Sequence, residues 1–358
     1  MAASTSQHTN AIRPLCLLAL DGGGVRGYSE LIILHQLMLK IKEHTHRADI
    51  PKPWEIFDLI GGTSTGGIIA LMLGRLKMST DQAMAEYENF AKDVFGKPKR
   101  HFSEGRYSAT TLEKMIKSTV GRSGLQSYSE VETVEEMRLL EDGGSTPHCK
   151  VFVSAANARV LDGPRLFRSY QTNSAGEYPD MTIWQAARAT SAAPTFFKRL
   201  KIGPANAQEE FIDGGIGSNN PTKLLLKEAA DIFGSNHPVA CVISIGTGIP
   251  KLTEFRIPGI RQKLVPLDLA KALGKIATDC EKIEKGVAEF FSSTPRLYFR
   301  FNVSRGLEDV PLEEWNDLGN IRAKTIHYLE NDVLTSMKQA VVSVCERREK
   351  TLASNLRT

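Results

Sequence analysis

The chain has 358 residues, 41% of them hydrophobic, and a formal net charge of +4. That is ample apolar material for a buried core, and the charge is a mild basic bias without the basic arm or arginine-rich patch of a nucleic-acid binder. Five scattered cysteines (Cys16, Cys149, Cys241, Cys280 and Cys345) never fall in CxxC spacing, which argues against a disulfide framework and against a zinc site. The opening MAASTSQHTNAIRP lacks the apolar stretch of a secretory signal. The longest uncharged run, 59–74, is too short and too rich in Gly, Ser and Thr to cross a bilayer. The expectation is a soluble, reduced, cytoplasmic protein whose charge is compatible with peripheral contact to an anionic membrane.

In chain order, residues 1–13 read as a disordered tail, and LCLLAL (Leu15–Leu20) as a strand buried on both faces. Apolar positions Leu31, Ile32, Leu34, Leu37, Met38 and Ile41 predict a helix over 29–41. A second strand, 56–60, leads into GGTSTGG, and the IIALML that follows is apolar on every side, as in a central helix. Ser79 and Gln82 are spaced as a capping box for a helix over Thr80–Phe95. This alternation predicts an α/β fold, a three-layer sandwich around a mostly parallel central sheet. Residues 121–148 are polar and acidic and read as an excursion from the core. Strands are expected again at 151–154, 210–212, 239–245 and 296–303, and Asn220-Pro221 reads as a helix start. A long amphipathic helix carries Leu269, Leu273, Ile276, Ile283, Val287 and Phe290, and the stretch to about 352 reads as helical. No repeat or linker interrupts the chain, so a single domain is expected over 14–352. Its motif-bearing core would be 15–225, its mainly helical part would start near 266, and 353–358 would be a tail.

Gly62-Thr63-Ser64-Thr65-Gly66 matches the nucleophile elbow GxSxG in the context that motif requires, strand then sharp turn then helix. A serine hydroxyl is a poor nucleophile and must be both activated and presented. A strained turn presents it, flanking glycines permit close chain passage, and the helix start turns free N–H groups toward a developing oxyanion. GxSxG alone also occurs by chance. Asp21-Gly22-Gly23-Gly24-Val25-Arg26-Gly27 ends a buried strand and opens a helix, which makes its N–H groups an anion cradle. The same residues satisfy GxGxxG, but the second strand with an acidic end that a dinucleotide site needs is replaced by helix and the polar run HTHRAD. An oxyanion hole beside Ser64, with Arg26 as an electrostatic helper, accounts for the loop better. Asp213-Gly214-Gly215 follows an apolar strand, on the rim where α/β enzymes build their sites.

Together DGGGVRG, GTSTG and DGG, in that order, resemble the patatin-like phospholipase family; ATSAAPTFF at 189–197, which includes Pro194, looks like a further family block. The resemblance covers about 15–225 and is loose beyond 250. GTSTGGIIALMLGRL and ATSAAPTFFK are similar in wording to fungal members. The resemblance implies Ser64 as nucleophile and Asp213 as general base of a Ser–Asp dyad. It also implies oxyanion N–H groups from Gly22, Gly23, Gly24 and Thr65, and supporting roles for Arg26, Gly27, Gly62, Gly66, Gly214, Gly215 and Pro194. The implied substrates are glycerophospholipids or related acyl lipids, cleaved through an acyl-enzyme without calcium, metal or cofactor. A transacylase using the same acyl-enzyme, or an idle lipid-binding domain, are the alternatives. Chain order also permits a triad in which His237 follows Asp213. His44 and His46 form an HxH without a third ligand at metal spacing and read as solvated, and His35 on the first helix reads as a packed or surface histidine. The mixed basic and apolar segment 251–275, with Arg256, Arg261 and Lys263, reads as ordinary surface or as a lipid-facing entrance.

Overall fold

The computed structural model describes residues 12–99, 105–124, 133–141, 149–160, 163–172, 178, 180–234, 236–249, 267–348 and 350–356. Among the described residues nine strands form one sheet: β1 (Leu15–Leu20), β2 (Leu59–Thr63), β3 (Lys150–Asn157), β4 (Pro164–Arg168), β5 (Leu200–Ile202), β6 (Glu209–Asp213), β7 (Pro238–Ile245), β8 (Tyr298–Phe301) and β9 (Thr351–Leu352). Strands β3, β2, β1, β7 and β8 lie side by side and parallel, and β4, β5, β6 and β9 add antiparallel pairings. The alternation along β1 builds two cores. Cys16, Leu18 and Leu20 face the layer that contains α1 (Gly27–Thr45), α3 (Ser64–Ala70) and α4 (Thr80–Phe95). Leu15, Leu17 and Ala19 face the opposite layer, with Leu225, Leu226 and Val287. The expected three-layer α/β sandwich with a mostly parallel sheet is what the chain forms.

The capping box of α4 is present as expected, with Ser79 and Gln82 bonding reciprocally. The second strand is displaced from its expected place. Lys52-Pro53 opens a short helix, α2 (Pro53–Ile56), with proline in its first turn, so the strand starts at Leu59 and runs through Gly61 and Gly62. Glycines are tolerated there because the Phe152 ring from β3 occupies the space a Gly61 side chain would need. Within the expected excursion, Met137 and Leu139 are buried and join the main core. Helices α5 (Ala109–Arg122) and α6 (Ile183–Thr190), and strands β4 and β5, were not anticipated. Helix α7 (Gly215–Ser218) precedes α8 (Thr222–Phe233); Pro221 holds the N-cap position in place of Asn220, whose Oδ1 accepts the Thr222 N–H at 3.0 Å from one place earlier. The long helix α9 (Leu267–Phe290) forms where a helix is expected, although Phe290, expected on its apolar face, is exposed; the late helices α10 (Leu318–Asn331) and α11 (Leu334–Glu346) form as well, but the chain then returns as β9. Ala353 and Leu356, expected to begin a tail, are buried in the second core. Residues 1–11 and the basic–apolar segment 251–266 lie outside the described residues. Among those described, no helix is long and apolar enough to cross a membrane.

One pairing detail decides where the site forms. β2 pairs with β3 up to Thr63 opposite Ser154, and β4 lies along the other edge of β3. β6 pairs with β3 from Asp213 opposite Ala155 onward, residues whose other edge β4 already occupies. β6 therefore continues the line of β2 from the opposite direction. The two strands meet end to end beside Ser154 and Ala155, with Ser64 at one tip and Asp213 at the other.

Candidate active site

The turn after β2 holds Ser64 at φ +54°, in the left-handed region, where a side chain with a Cβ costs about 1–2 kcal/mol. The crossing it makes is tight: a Cβ on Gly62 would fall on the Gly66 carbonyl, and one on Gly66 would fall on the Asp21 carbonyl. The Ser64 N–H donates to Thr190 Oγ1 at 2.8 Å, and the Thr190 hydroxyl donates to the Ser154 carbonyl at 2.6 Å. Thr190 thus ties the elbow to the same point on β3 where the two strand tips meet. Half-buried Ser64 donates its Oγ–H to Asp213 Oδ2 at 2.6 Å.

Asp213 is 6% exposed, and its second oxygen accepts the Gly215 N–H at 2.7 Å. Burial pushes its carboxyl up to about 6, while the Ser64 hydroxyl and the Gly215 N–H pull in the other direction. Its backbone is pinned by the block at 189–197: Asp213 N–H donates to the Ala192 carbonyl and Gly214 N–H to the Thr190 carbonyl. The contribution of that block lies in residues 190–192, and Pro194 sits in the turn that follows. His237 stands elsewhere. It precedes β7 at the amino end of the parallel strands, whereas Ser64 is at their carboxyl end, and its Nε2 meets the Arg13 carbonyl at 3.2 Å. His237 therefore lies a full strand length from the Ser64–Asp213 pair. Among the described residues no group of three or more His, Cys, Asp or Glu side chains is placed to hold a metal ion; His46 instead ends α1 in the left-handed conformation.

The glycine loop lies against this pair, but its three expected N–H donors and that of Thr65 are not equivalent. Gly22 N–H is turned away and bonds the Asn219 carbonyl at 3.2 Å, which takes it out of the expected set. Gly23 N–H donates to Thr65 Oγ1 at 3.1 Å, next to the nucleophile. Among the described residues no acceptor engages the N–H of Gly24, at φ +56°, or that of Thr65. Arg26 is also placed differently from the expectation. Its Nε donates to the Val310 carbonyl at 2.7 Å, and Val25 N–H donates to the Leu312 carbonyl at 2.8 Å. The guanidinium straps the 308–312 segment to the loop, so its charge is spent on carbonyls instead of the reaction centre. Gly27 opens α1 against the hydroxyl of Tyr87, which bonds the Gly24 carbonyl. A Cβ on Gly23 would overlap the Thr247 side chain. A folded Gly23→Val variant should therefore displace the loop and lose about a hundred- to thousandfold in turnover of a soluble ester, the scale of one lost oxyanion donor. Near-normal turnover, with an unchanged circular dichroism spectrum, would remove the loop from the chemistry.

Nothing in the sequence singles out Asn219, Thr247 or Arg300, and Thr190 is marked only as part of the 189–197 block. Arg300, from β8, binds both oxygens of Asp21 at 3.0 and 2.6 Å and also donates to Ser244 Oγ, all with the ion pair buried. Asp21 in turn stands next to Glu30, whose Oε1 accepts the Asp21 N–H at 2.8 Å and whose carboxyl burial pushes far above the usual range. Arg300→Met should cost about 3–5 kcal/mol in urea unfolding, because Asp21 is left buried without its partner charge. Adding Asp21→Asn to that variant should recover part of the loss; no recovery would mean that the arginine acts by packing alone.

A serine at a strained strand–helix turn, bonded to a buried carboxylate beside a glycine loop at the carboxyl edge of a parallel sheet, defines a serine-hydrolase type of site. Residues 18–226 match the family described as Patatin-like phospholipase, and the chain belongs to that family. Calcium-independent phospholipase A2-gamma of Mus musculus is 29% identical over 360 residues, covering 95% of this chain and 41% of that protein. Phospholipase A I of Arabidopsis thaliana is 29% identical over 385 residues, covering 93% and 28%. The 85/88 kDa calcium-independent phospholipase A2 of Mus musculus is 26% identical over 327 residues, covering 84% and 37%. The chain spans less than half the length of these relatives.

Proposed function

We propose that the chain is a lipid acyl hydrolase that cleaves fatty-acyl esters of glycerophospholipids or lysophospholipids through a Ser64 acyl-enzyme. The observation that carries this reading is the 2.6 Å bond from Ser64 Oγ to Asp213 Oδ2 at an elbow held at φ +54°. Asp213 accepts the Ser64 proton as Oγ attacks the ester carbonyl carbon. The N–H groups of Gly23, Gly24 and Thr65 face the negative charge that forms on the carbonyl oxygen. Collapse breaks the ester bond, the departing lysolipid alcohol takes the proton from Asp213, and the acyl group remains on Ser64. Water then gives a proton to Asp213 and attacks the acyl-enzyme; fatty acid leaves and Ser64 recovers its proton. The names of the relatives support a phospholipid substrate and independence from calcium. The experiment is fatty-acid release from phospholipid, lysophospholipid and glyceride vesicles in EDTA. Release from at least one of them, lost in Ser64→Ala, is the expected result; release from none, while a fluorophosphonate still labels Ser64, would leave the chain without this activity.

The acid limb of the pH profile follows from Asp213. The base works only as carboxylate, so kcat/KM for a soluble ester should rise through about pH 6 and then level. A histidine base would give a similar limb, since an unperturbed imidazole titrates near 6.5. His237→Ala separates the two: the limb and most of the rate should survive. An inactive but folded His237→Ala would bring the triad back.

A further inference from the structure

We propose that Asn219 and Thr247 are positioning residues that fix the direction of the Gly22–Gly23 peptide and, with it, the N–H that this peptide presents to the oxyanion. The inference rests on the Ser64 hydrolase reading. In a trans peptide the carbonyl of one residue and the N–H of the next point in opposite directions, and no cis peptide occurs among the described residues. The Gly22 carbonyl accepts Asn219 Nδ2 at 2.9 Å and Thr247 Oγ1 at 3.1 Å. Both donors hold the oxygen, so the Gly23 N–H on the opposite side of the peptide is directed at Thr65 Oγ1, whose residue follows the nucleophile.

The need for such a hold comes from the sequence. This peptide joins two glycines, so no Cβ on either flank restricts its rotation, and a flipped peptide is sterically open to it. The flip would replace a donor with a carbonyl oxygen facing the nucleophile, and a negative charge developing there would be repelled. The partners of the Gly22 carbonyl are therefore what selects the orientation. The orientation of the Asn219 amide is itself secured, because a carbonyl can only accept and the atom facing it must be the nitrogen. That nitrogen also meets Cys280 Sγ at 3.2 Å, and the Asn219 carbonyl takes the Gly22 N–H, so residues 22 and 219 bond each other twice. Asn219 lies six positions after Asp213, just beyond α7, and Thr247 follows β7. The segment that carries the base thus also aims the oxyanion loop. The glycines are matched to these side chains: a Cβ on Gly22 would strike Asn219 Oδ1, and one on Gly23 would strike Thr247.

The test uses Thr247→Val, which keeps shape and removes the donor, Thr247→Ser, which keeps the donor, and Asn219→Asp, which puts an acceptor where the amide nitrogen was. Each is assayed for kcat and KM on a soluble ester and on its thionoester, whose sulfur is a poor hydrogen-bond acceptor. Thr247→Val and Asn219→Asp should lower kcat about ten- to a hundredfold with KM little changed. The preference for oxygen over sulfur should shrink by a similar factor, and Thr247→Ser should restore both. Unchanged kcat, or a fall in kcat that leaves the oxygen preference intact, would show that the two residues only support the fold and would overturn the proposal. Thr247→Val carries the test alone should Asn219→Asp fail to fold. Failure of the underlying reading looks different: wild type itself would show no oxygen preference, or Ser64→Ala would turn over as fast as wild type.

Discussion

Ser64→Ala should lower ester turnover by on the order of 10⁴- to 10⁶-fold, the scale on which a serine hydrolase loses its nucleophile. The protein should remain folded. The strain of φ +54° burdens alanine and serine alike, and the backbone bond from residue 64 to Thr190 does not involve the lost hydroxyl. A fluorophosphonate should label wild type at Ser64 and leave the variant unlabelled. Ser64→Gly gives a control on the strain: equally inactive, it should unfold at higher urea than Ser64→Ala, by about 1 kcal/mol, because glycine accepts the left-handed region freely. Equal labelling of wild type and Ser64→Ala would place the nucleophile elsewhere, and equal stability of the alanine and glycine variants would mean that the elbow stores no strain.

Asp213→Asn should also be strongly damaging to activity, while leaving stability unharmed or raised. Asparagine keeps the shape and can still accept the Gly215 N–H, but it cannot take the Ser64 proton, and loss of a positioned base costs about 10²- to 10⁴-fold. The carboxyl that titrates near 3.8 when exposed is pushed up to about 6 by burial, so the folded state disfavours its charged form. The associated cost is absent below about pH 4, grows between 4 and 6, and is complete above 6. A shift of that size corresponds to about 3 kcal/mol. At pH 8, where wild type carries the full cost, Asp213→Asn should melt at or above the wild-type temperature, and near pH 4 the advantage should vanish. A variant that is inactive and also clearly less stable at pH 8 would show that the carboxylate is favoured in the fold, contrary to its burial.

Much of this architecture was legible because its signals are local. LCLLAL is continuously apolar since β1 is covered by helices on both faces, and the Ser79–Gln82 box is a three-residue pattern that needs no distant partner. Ser64 and Asp213 were legible through short motifs whose glycines the tight crossings require. The failures share a cause. Ile56 and Phe57 look strand-like and draw the expected β2 too early, while the strand itself runs on through Gly61, where the Phe152 ring from another strand fills the gap, and Gly62, which crosses the Gly66 backbone. Gly22 looked equivalent to Gly23 and Gly24, and only the position of Asn219, 197 residues away, turns its N–H aside. Arg26 looks like an electrostatic helper in the sequence because its partners, the carbonyls at 308 and 310, leave no trace there. Thr190 and Thr247 act through single hydroxyls on remote backbone atoms, and no spacing rule marks such residues.

The strap between Arg26 and the 308–312 segment bears on how far this catalytic unit is portable. The family match ends at residue 226, yet β1, which delivers the glycine loop, is flanked by β2 on one edge and by β7 on the other. Cutting the chain at the end of the match would strip β7 and β8 from the sheet, leave Asp21 without Arg300, and bare a central strand as a sticky edge of the kind that invites aggregation. The motifs can be read from two-thirds of the chain, but the smallest piece that could be moved into another protein, or survive a proteolytic cut, has to reach past residue 312.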